Sequence, residues 1–240
     1  MDPRERLIVA LDVSSAAAAR KIVTAVGDSA LTYKVGMQLY TAEGPALVRE
    51  LIESGRRVFL DLKYHDIPNT VASAVREAAR LGVGFLTVHA SGSNKMLQAA
   101  VDAGLSVNPE MMVLAVTVLT SFDENQLTKI GVRGGITSQV LRLTALAISN
   151  GCKGIVTSAQ EASAVRAEFG RELTIVTPGV RPAGSGNDDQ ARVVTPAEAI
   201  AAGASHIVVG RPITAAADPA VEAREILAQI ESGHHSEAIS

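Results

Sequence analysis

Eight short β-rich runs, each followed by a stretch with helical spacing, recur from one end of the chain to the other. They lie at Leu7–Val13, Leu31–Met37, Val58–Lys63, Phe85–His89, Met112–Leu119, Gly154–Thr157, Leu173–Val180 and His206–Gly210. The segments between them, such as Ser14–Val26, Ala42–Ser54 and Thr70–Leu81, are built from Ala, Leu, Glu and Arg. Gly27, Gly55, Gly82, Gly151 and Gly203 fall where helix C-caps belong, the position at which a left-handed backbone favours glycine. Strands that alternate with helices pair in parallel, because each return has to cross a face of the sheet. Eight units of roughly thirty residues predict an α/β fold of the (β/α)₈ TIM-barrel type. A doubly wound open sheet is the competing architecture, and it calls for a Gly-rich first turn. The first strand here ends in Leu11-Asp12-Val13-Ser14-Ser15 instead.

Nothing divides the chain into parts. No Pro/Gly/Ser linker or shift of composition interrupts the 240 residues, so a single barrel domain is expected over 1–230. The polar end, 231–240, reads as a disordered tail. With 47% hydrophobic and only 3% aromatic residues and no Trp, the core is expected to be aliphatic strands under Ala-rich helices. A formal charge of −3 gives no basic surface for nucleic acid or an anionic membrane. The single Cys152 precludes an internal disulfide framework and suits a reducing compartment. The charged start, Met1-Asp2-Pro3-Arg4-Glu5-Arg6, has no signal-peptide pattern, and no apolar run is long enough to span a bilayer. A cytoplasmic location is expected.

Chemistry is concentrated in Asp61-Leu62-Lys63-Tyr64-His65-Asp66-Ile67-Pro68-Asn69-Thr70. Val58-Phe59-Leu60 leads into it as a buried strand. Asp61 and Lys63, two positions apart on an extended backbone, project to the same side. Asp66 follows at the turn, and Pro68-Asn69-Thr70 opens the next helix. Burying charges of both signs at a strand end is costly unless they pair. In a barrel, such ends build the active site. Taken in order, the strand ends carry Asp12, Lys34, Asp61 with Lys63, His89, Thr120, Arg181 and Arg211. Asp12 and Lys34 each interrupt an apolar strand, as mutually compensating inward charges do.

A second group occupies the last two units. Thr177-Pro178-Gly179-Val180-Arg181 and Val208-Val209-Gly210-Arg211-Pro212-Ile213 each set a Gly near an Arg. Loops after the seventh and eighth strands commonly hold phosphate in barrels, with Arg adding a two-pronged grip. The polar, Gly-rich run from Pro182 to Gln190 has the composition of a lid, and Gln190 is placed to reach the same anion. His89, His65 and His206 read mainly as structural. No Cys/His cluster has metal-ligand spacing, and the acidic residues of the site have Lys neighbours. No metal or other cofactor is expected. Nucleophile-elbow and Walker-type motifs are absent from the sequence.

These motifs, with Leu7-Ile8-Val9-Ala10-Leu11-Asp12 and Tyr33-Lys34-Val35-Gly36, resemble the bacterial type of the orotidine 5′-phosphate decarboxylase family over nearly the whole chain. Tyr64 stands where relatives commonly carry Phe. The resemblance implies cofactor-free loss of CO₂ from orotidine 5′-monophosphate to give UMP, the last step of pyrimidine nucleotide synthesis. It implies Lys63 as the proton donor to C6, within a charge array of Lys34, Asp61, Lys63 and Asp66. It further implies Asp12 and Lys34 at the ribose, Thr120 at the pyrimidine, and Gln190, Arg181, Gly210 and Arg211 at the phosphate. It also implies a homodimer with shared sites, with Asp66 and Thr70 reaching into the neighbour's site and Ile67 among the substrate-binding residues. Two alternatives stay open at this point. One is a Mg²⁺-dependent sugar-phosphate decarboxylase or synthase barrel, which shares Asp-x-Lys-x-x-Asp but has an acidic ligand where Lys34 stands. The other is a non-catalytic nucleotide-binding barrel.

Overall fold

The computed structural model describes residues 2–182 and 194–237. Its eight strands are all parallel and close on themselves in sequence order. They are β1 (Leu7–Ala10), β2 (Thr32–Gly36), β3 (Arg57–Tyr64), β4 (Phe85–His89), β5 (Met112–Val116), β6 (Gly154–Val156), β7 (Thr174–Thr177) and β8 (His206–Val209). The helices are α1 (Pro3–Arg6), α2 (Ala16–Val26), α3 (Met37–Glu53), α4 (Pro68–Arg80), α5 (Asn94–Leu105) and α6 (Glu124–Lys129). They continue with α7 (Gly135–Ser149), α8 (Ala159–Phe169), α9 (Pro196–Ala201), α10 (Arg211–Thr214) and α11 (Pro219–Glu237). No described helix is long and apolar enough to cross a membrane. The expected (β/α)₈ barrel is the observed one.

Two apolar layers result from the period-2 alternation of each strand. Ile8, Ala10, Phe59, Phe85, Leu114, Val176 and Val208 fill the barrel interior. Their neighbours in sequence, among them Leu7, Val9, Val58, Leu60, Leu86, Val88, Ile175 and Ile207, pack outward under the helices. Strands covered on both faces are apolar throughout, so a charge in one of them marks a special position. Within the interior layer, Phe85 meets Phe59 edge-on at 6.0 Å and reaches His206, at the start of β8, at 5.3 Å. The Arg57 guanidinium lies 4.4 Å from the Phe85 ring centre, near enough for a cation–π contact. This stack closes the floor.

Most strands end earlier than the β-rich runs suggested. β5 stops at Val116 and β7 at Thr177, where the chain leaves the ladder to build the rim. All five glycines expected at helix ends have positive φ; Gly27 caps α2 at φ 57°, its N–H donating to the Val23 carbonyl. α3 begins at Met37, five residues before the predicted Ala42, and breaks at Gly44 (φ 66°) ahead of Pro45. The Gly-Pro pair joins two short helices into one element, and only the second has a clear apolar period.

The expectation of a disordered tail from residue 231 is corrected for its first part, because α11 continues through Glu237. Gly233 explains the continuation. A Cβ there would stand 2.6 Å from the Ala197 carbonyl oxygen, so α11 lies directly on α9 beyond Ile230. Residues 238–240 lie outside the described residues. So do 183–193, which contain most of the expected lid and Gln190.

Candidate active site

A cavity of about 530 Å³ opens at the C-terminal ends of the strands, where the sequence predicted the site. Phe59 and Ala10 form its base, and Val116, Val156 and Val208 its apolar wall. Asp12, Lys34, Asp61, Lys63, Thr120, Arg181, Gly210 and Arg211 all line it. Asp12 follows β1, Lys34 lies on β2, and Asp61 and Lys63 lie on β3, so four charges from three adjacent strands converge.

They alternate in sign. Lys34 Nζ donates to Asp12 Oδ1 at 2.8 Å and lies 3.7 Å from Asp61 Oδ2. Lys63 Nζ donates to both Asp61 oxygens at 2.8 Å. Asp61 is thus shared between two ammonium groups, and the row carries no net charge. Asp12 at the outer end is exposed, whereas Asp61 is buried and would lose compensation if Lys63 were removed. Gly36 makes room for the row: a Cβ there would lie 3.2 Å from Lys34 Nζ. Both cavity carboxylates of the row are held by lysines, which occupy the places a divalent cation would need.

Lys63 is not on extended backbone, as simple strand geometry predicted. Its φ is +51°, in the left-handed region that non-glycine residues seldom adopt. The β3–β4 pairing shifts register between Leu60 and Tyr64, and this bulge turns the Lys63 side chain back onto Asp61. Thr87 supports it from β4. The Thr87 hydroxyl donates to Asp61 Oδ1 at 2.9 Å and accepts from the Lys63 N–H at 2.9 Å. Sequence reasoning passed over Thr87. Its only signal was a polar residue on the inward side of an apolar strand.

Opposite β3 in the ring lie β7 and its neighbour β8. Pro178, Gly179, Val180 and Arg181 after β7, and Gly210, Arg211 and Pro212 after β8, line the far side of the cavity. Arg181 is buried, and its N–H donates to the Val194 carbonyl across the base of the loop. Ser121 and Thr157 also line the cavity and were not singled out from sequence. Thr157 directly follows β6 and Ser121 lies in the loop after β5, with no charge to mark either.

Three expected site residues do not reach this cavity. Asp66, Ile67 and Thr70 are exposed on the turn into α4, and the Asp66 carboxylate accepts from the Ile67 N–H at 2.6 Å. His89 is half-buried beside exposed His65, ring centres 5.4 Å apart. Burial, with the charges of His65 and Lys63 nearby, lowers its pKa. His206 lies in the floor, not the site, and burial pushes its pKa down to about 4.

A closed parallel barrel with a charged cavity at its strand ends places the chain among (β/α)₈-barrel enzymes. Residues 5–226 match the model of the orotidine 5′-phosphate decarboxylase / HUMPS family. The orotidine 5′-phosphate decarboxylase of Moorella thermoacetica is 50% identical over 237 residues, 96% of this chain and 94% of that protein. The one from Halorhodospira halophila is 51% identical over 94% and 95% of the two chains. The crystal structure of orotidine 5′-phosphate decarboxylase from Lactobacillus acidophilus matches with a TM-score of 0.85 at 37% identity, covering 94% of this chain and 99% of that one. The chain belongs to the orotidine 5′-phosphate decarboxylase / HUMPS family.

Proposed function

We propose that this protein decarboxylates orotidine 5′-monophosphate to UMP and CO₂ without a cofactor, as a cytoplasmic homodimer. The observation that carries this reading is the Lys63 ammonium, fixed at 2.8 Å from both oxygens of Asp61, across the barrel from Arg181 and Arg211. When the C6–carboxylate bond breaks, its electron pair stays on C6 in an sp² orbital orthogonal to the ring π system. Ring carbonyls cannot take up that charge, so a neighbouring cation has to stabilise it. A preoriented ammonium does so without reorganising as the charge forms. One Lys63 N–H bond then breaks, a C6–H bond forms, and the amine regains a proton from water. Asp61 orients Lys63 and adds repulsion toward the departing carboxylate as a secondary effect.

Lys34 and Asp12 sit where ribose hydroxyls would be held, and Thr120 faces the pyrimidine. Arg181, Arg211 and the Gly210 backbone take the phosphate, with Gln190 as a further contact. The phosphate is remote from C6, so its binding energy serves to close and order the site. In the homodimer, Asp66, Ile67 and Thr70 complete the partner's site. In support, Ile67 and Met37 are large apolar residues left 67% and 55% exposed, as an uncovered contact surface would leave them. The single Cys152 is buried, and burial pushes its thiol up to about 12, so it is an unreactive core residue. The Mg²⁺-dependent alternative loses ground because Lys34 occupies the space between Asp12 and Asp61.

The test is direct. EDTA-treated protein mixed with orotidine monophosphate is expected to convert it to UMP, followed by pyrimidine absorbance, at a rate unchanged by added Mg²⁺. Lys63→Ala is expected to lose nearly all turnover while still binding UMP. Activity restored only by Mg²⁺, or near-parental decarboxylation by Lys63→Ala, would refute the reading.

A further inference from the structure

Thr87 does not line the cavity. It lies on β4, facing the barrel interior, and is fully buried. Its hydroxyl nevertheless touches both halves of the central ion pair. An ionised carboxylate only accepts hydrogen bonds, so the Thr87 proton points to Asp61 and a lone pair remains for the Lys63 N–H. Both contacts are 2.9 Å. β3 and β4 pair at Leu60↔Leu86 and resume at Tyr64↔Val88, so β3 carries extra residues through the bulge. Lys63 lies within it at φ +51°. The Thr87 hydroxyl therefore accepts the Lys63 N–H within a stretch where the ladder has lost its register. A left-handed non-glycine residue is strained and persists only where its surroundings hold it.

From this arrangement we infer that Thr87 is a positioning residue for decarboxylation. One hydroxyl couples the main chain of Lys63 to the carboxylate of Asp61, which sets where the ammonium points. A buried threonine serving only strand propensity would need its shape and not its hydroxyl. The inference rests on the assignment of Lys63 and Asp61 to the chemistry.

Thr87→Val keeps the shape and removes both hydrogen bonds, whereas Thr87→Ser keeps the hydroxyl and removes a methyl group. We expect Thr87→Val to lower kcat about 10- to 100-fold, the scale of a small misplacement of a reacting group. Its KM for orotidine monophosphate and its affinity for UMP should stay within about threefold of the parent, and Thr87→Ser should recover most of the turnover. Three results would overturn the inference: kcat of Thr87→Val within about threefold of the parent, Thr87→Ser as slow as Thr87→Val, or UMP affinity falling in step with kcat. If the valine protein does not fold, Thr87→Cys replaces it, with a weakly bonding thiol in similar volume and the same expectations. Lys63→Ala is assayed in parallel. Substantial turnover by that variant rejects the Lys63 assignment itself, whatever Thr87 does.

Discussion

At the scale of single residues, the site was legible where a charge broke an apolar strand. Asp12, Lys34, Asp61 and Lys63 stood out for that reason, and all four line one cavity. Arg181 and Arg211 were legible through their glycine neighbours. Thr87 was not, because threonine is an ordinary strand residue and its two hydrogen bonds depend on a bulge that spacing does not reveal. The backbone of Lys63 was hidden for the same reason. The arginines allow a sharp test. Arg211→Ala is expected to lower kcat/KM for orotidine monophosphate by about 30- to 1000-fold, the range for truncating a charged hydrogen-bonded contact. Turnover of orotidine without its phosphate should hardly change. Steady-state kinetics on both substrates check this, and equal losses on both would remove Arg211 from the phosphate site.

Among the elements, the rhythm of strands and helices was clear, and their ends were not. A rim is made of chain that has left the ladder yet is still apolar, so β5 and β7 read longer than they are. The Gly44-Pro45 break hid the first half of α3, and the contact at Gly233 that extends α11 depends on another helix. The floor elements β3, β4 and β8 carry a prediction about pH. His206 has an ordinary pKa near 6.5, lowered to about 4 by burial, with Arg57 and Arg6 adding repulsion. Below pH about 6.5 the unfolded chain binds a proton that the folded chain refuses. Stability is therefore fully present above that pH and declines by up to about 1.4 kcal/mol per pH unit until the folded pKa is passed. Melting temperatures from pH 7 to 4 should fall more steeply for the parent than for His206→Asn. Parallel curves would show that the floor does not exclude the proton.

For the whole molecule, closure of the barrel was readable from eight units, since connections of this kind leave few other topologies. What one chain could not show is where Asp66, Ile67 and Thr70 act. They are exposed where the chain enters α4, and the proposed second copy would give them a role. Mixing Lys63→Ala with Asp66→Ala subunits is expected to restore activity toward a quarter of the parent if the dimer shares its sites. Half the molecules formed by random mixing are hybrids, each with one site intact. Activity no greater than the sum of the two variants, despite hybrids seen by native mass spectrometry, would argue against sharing. The floor stack of Arg57, Phe85 and His206 bears on traffic as well as stability. Among the described residues it packs the end of the barrel opposite the cavity. In the proposed reaction, carbon dioxide formed above that packing would depart past the anchored nucleotide, so residues at the rim would govern how the two products separate.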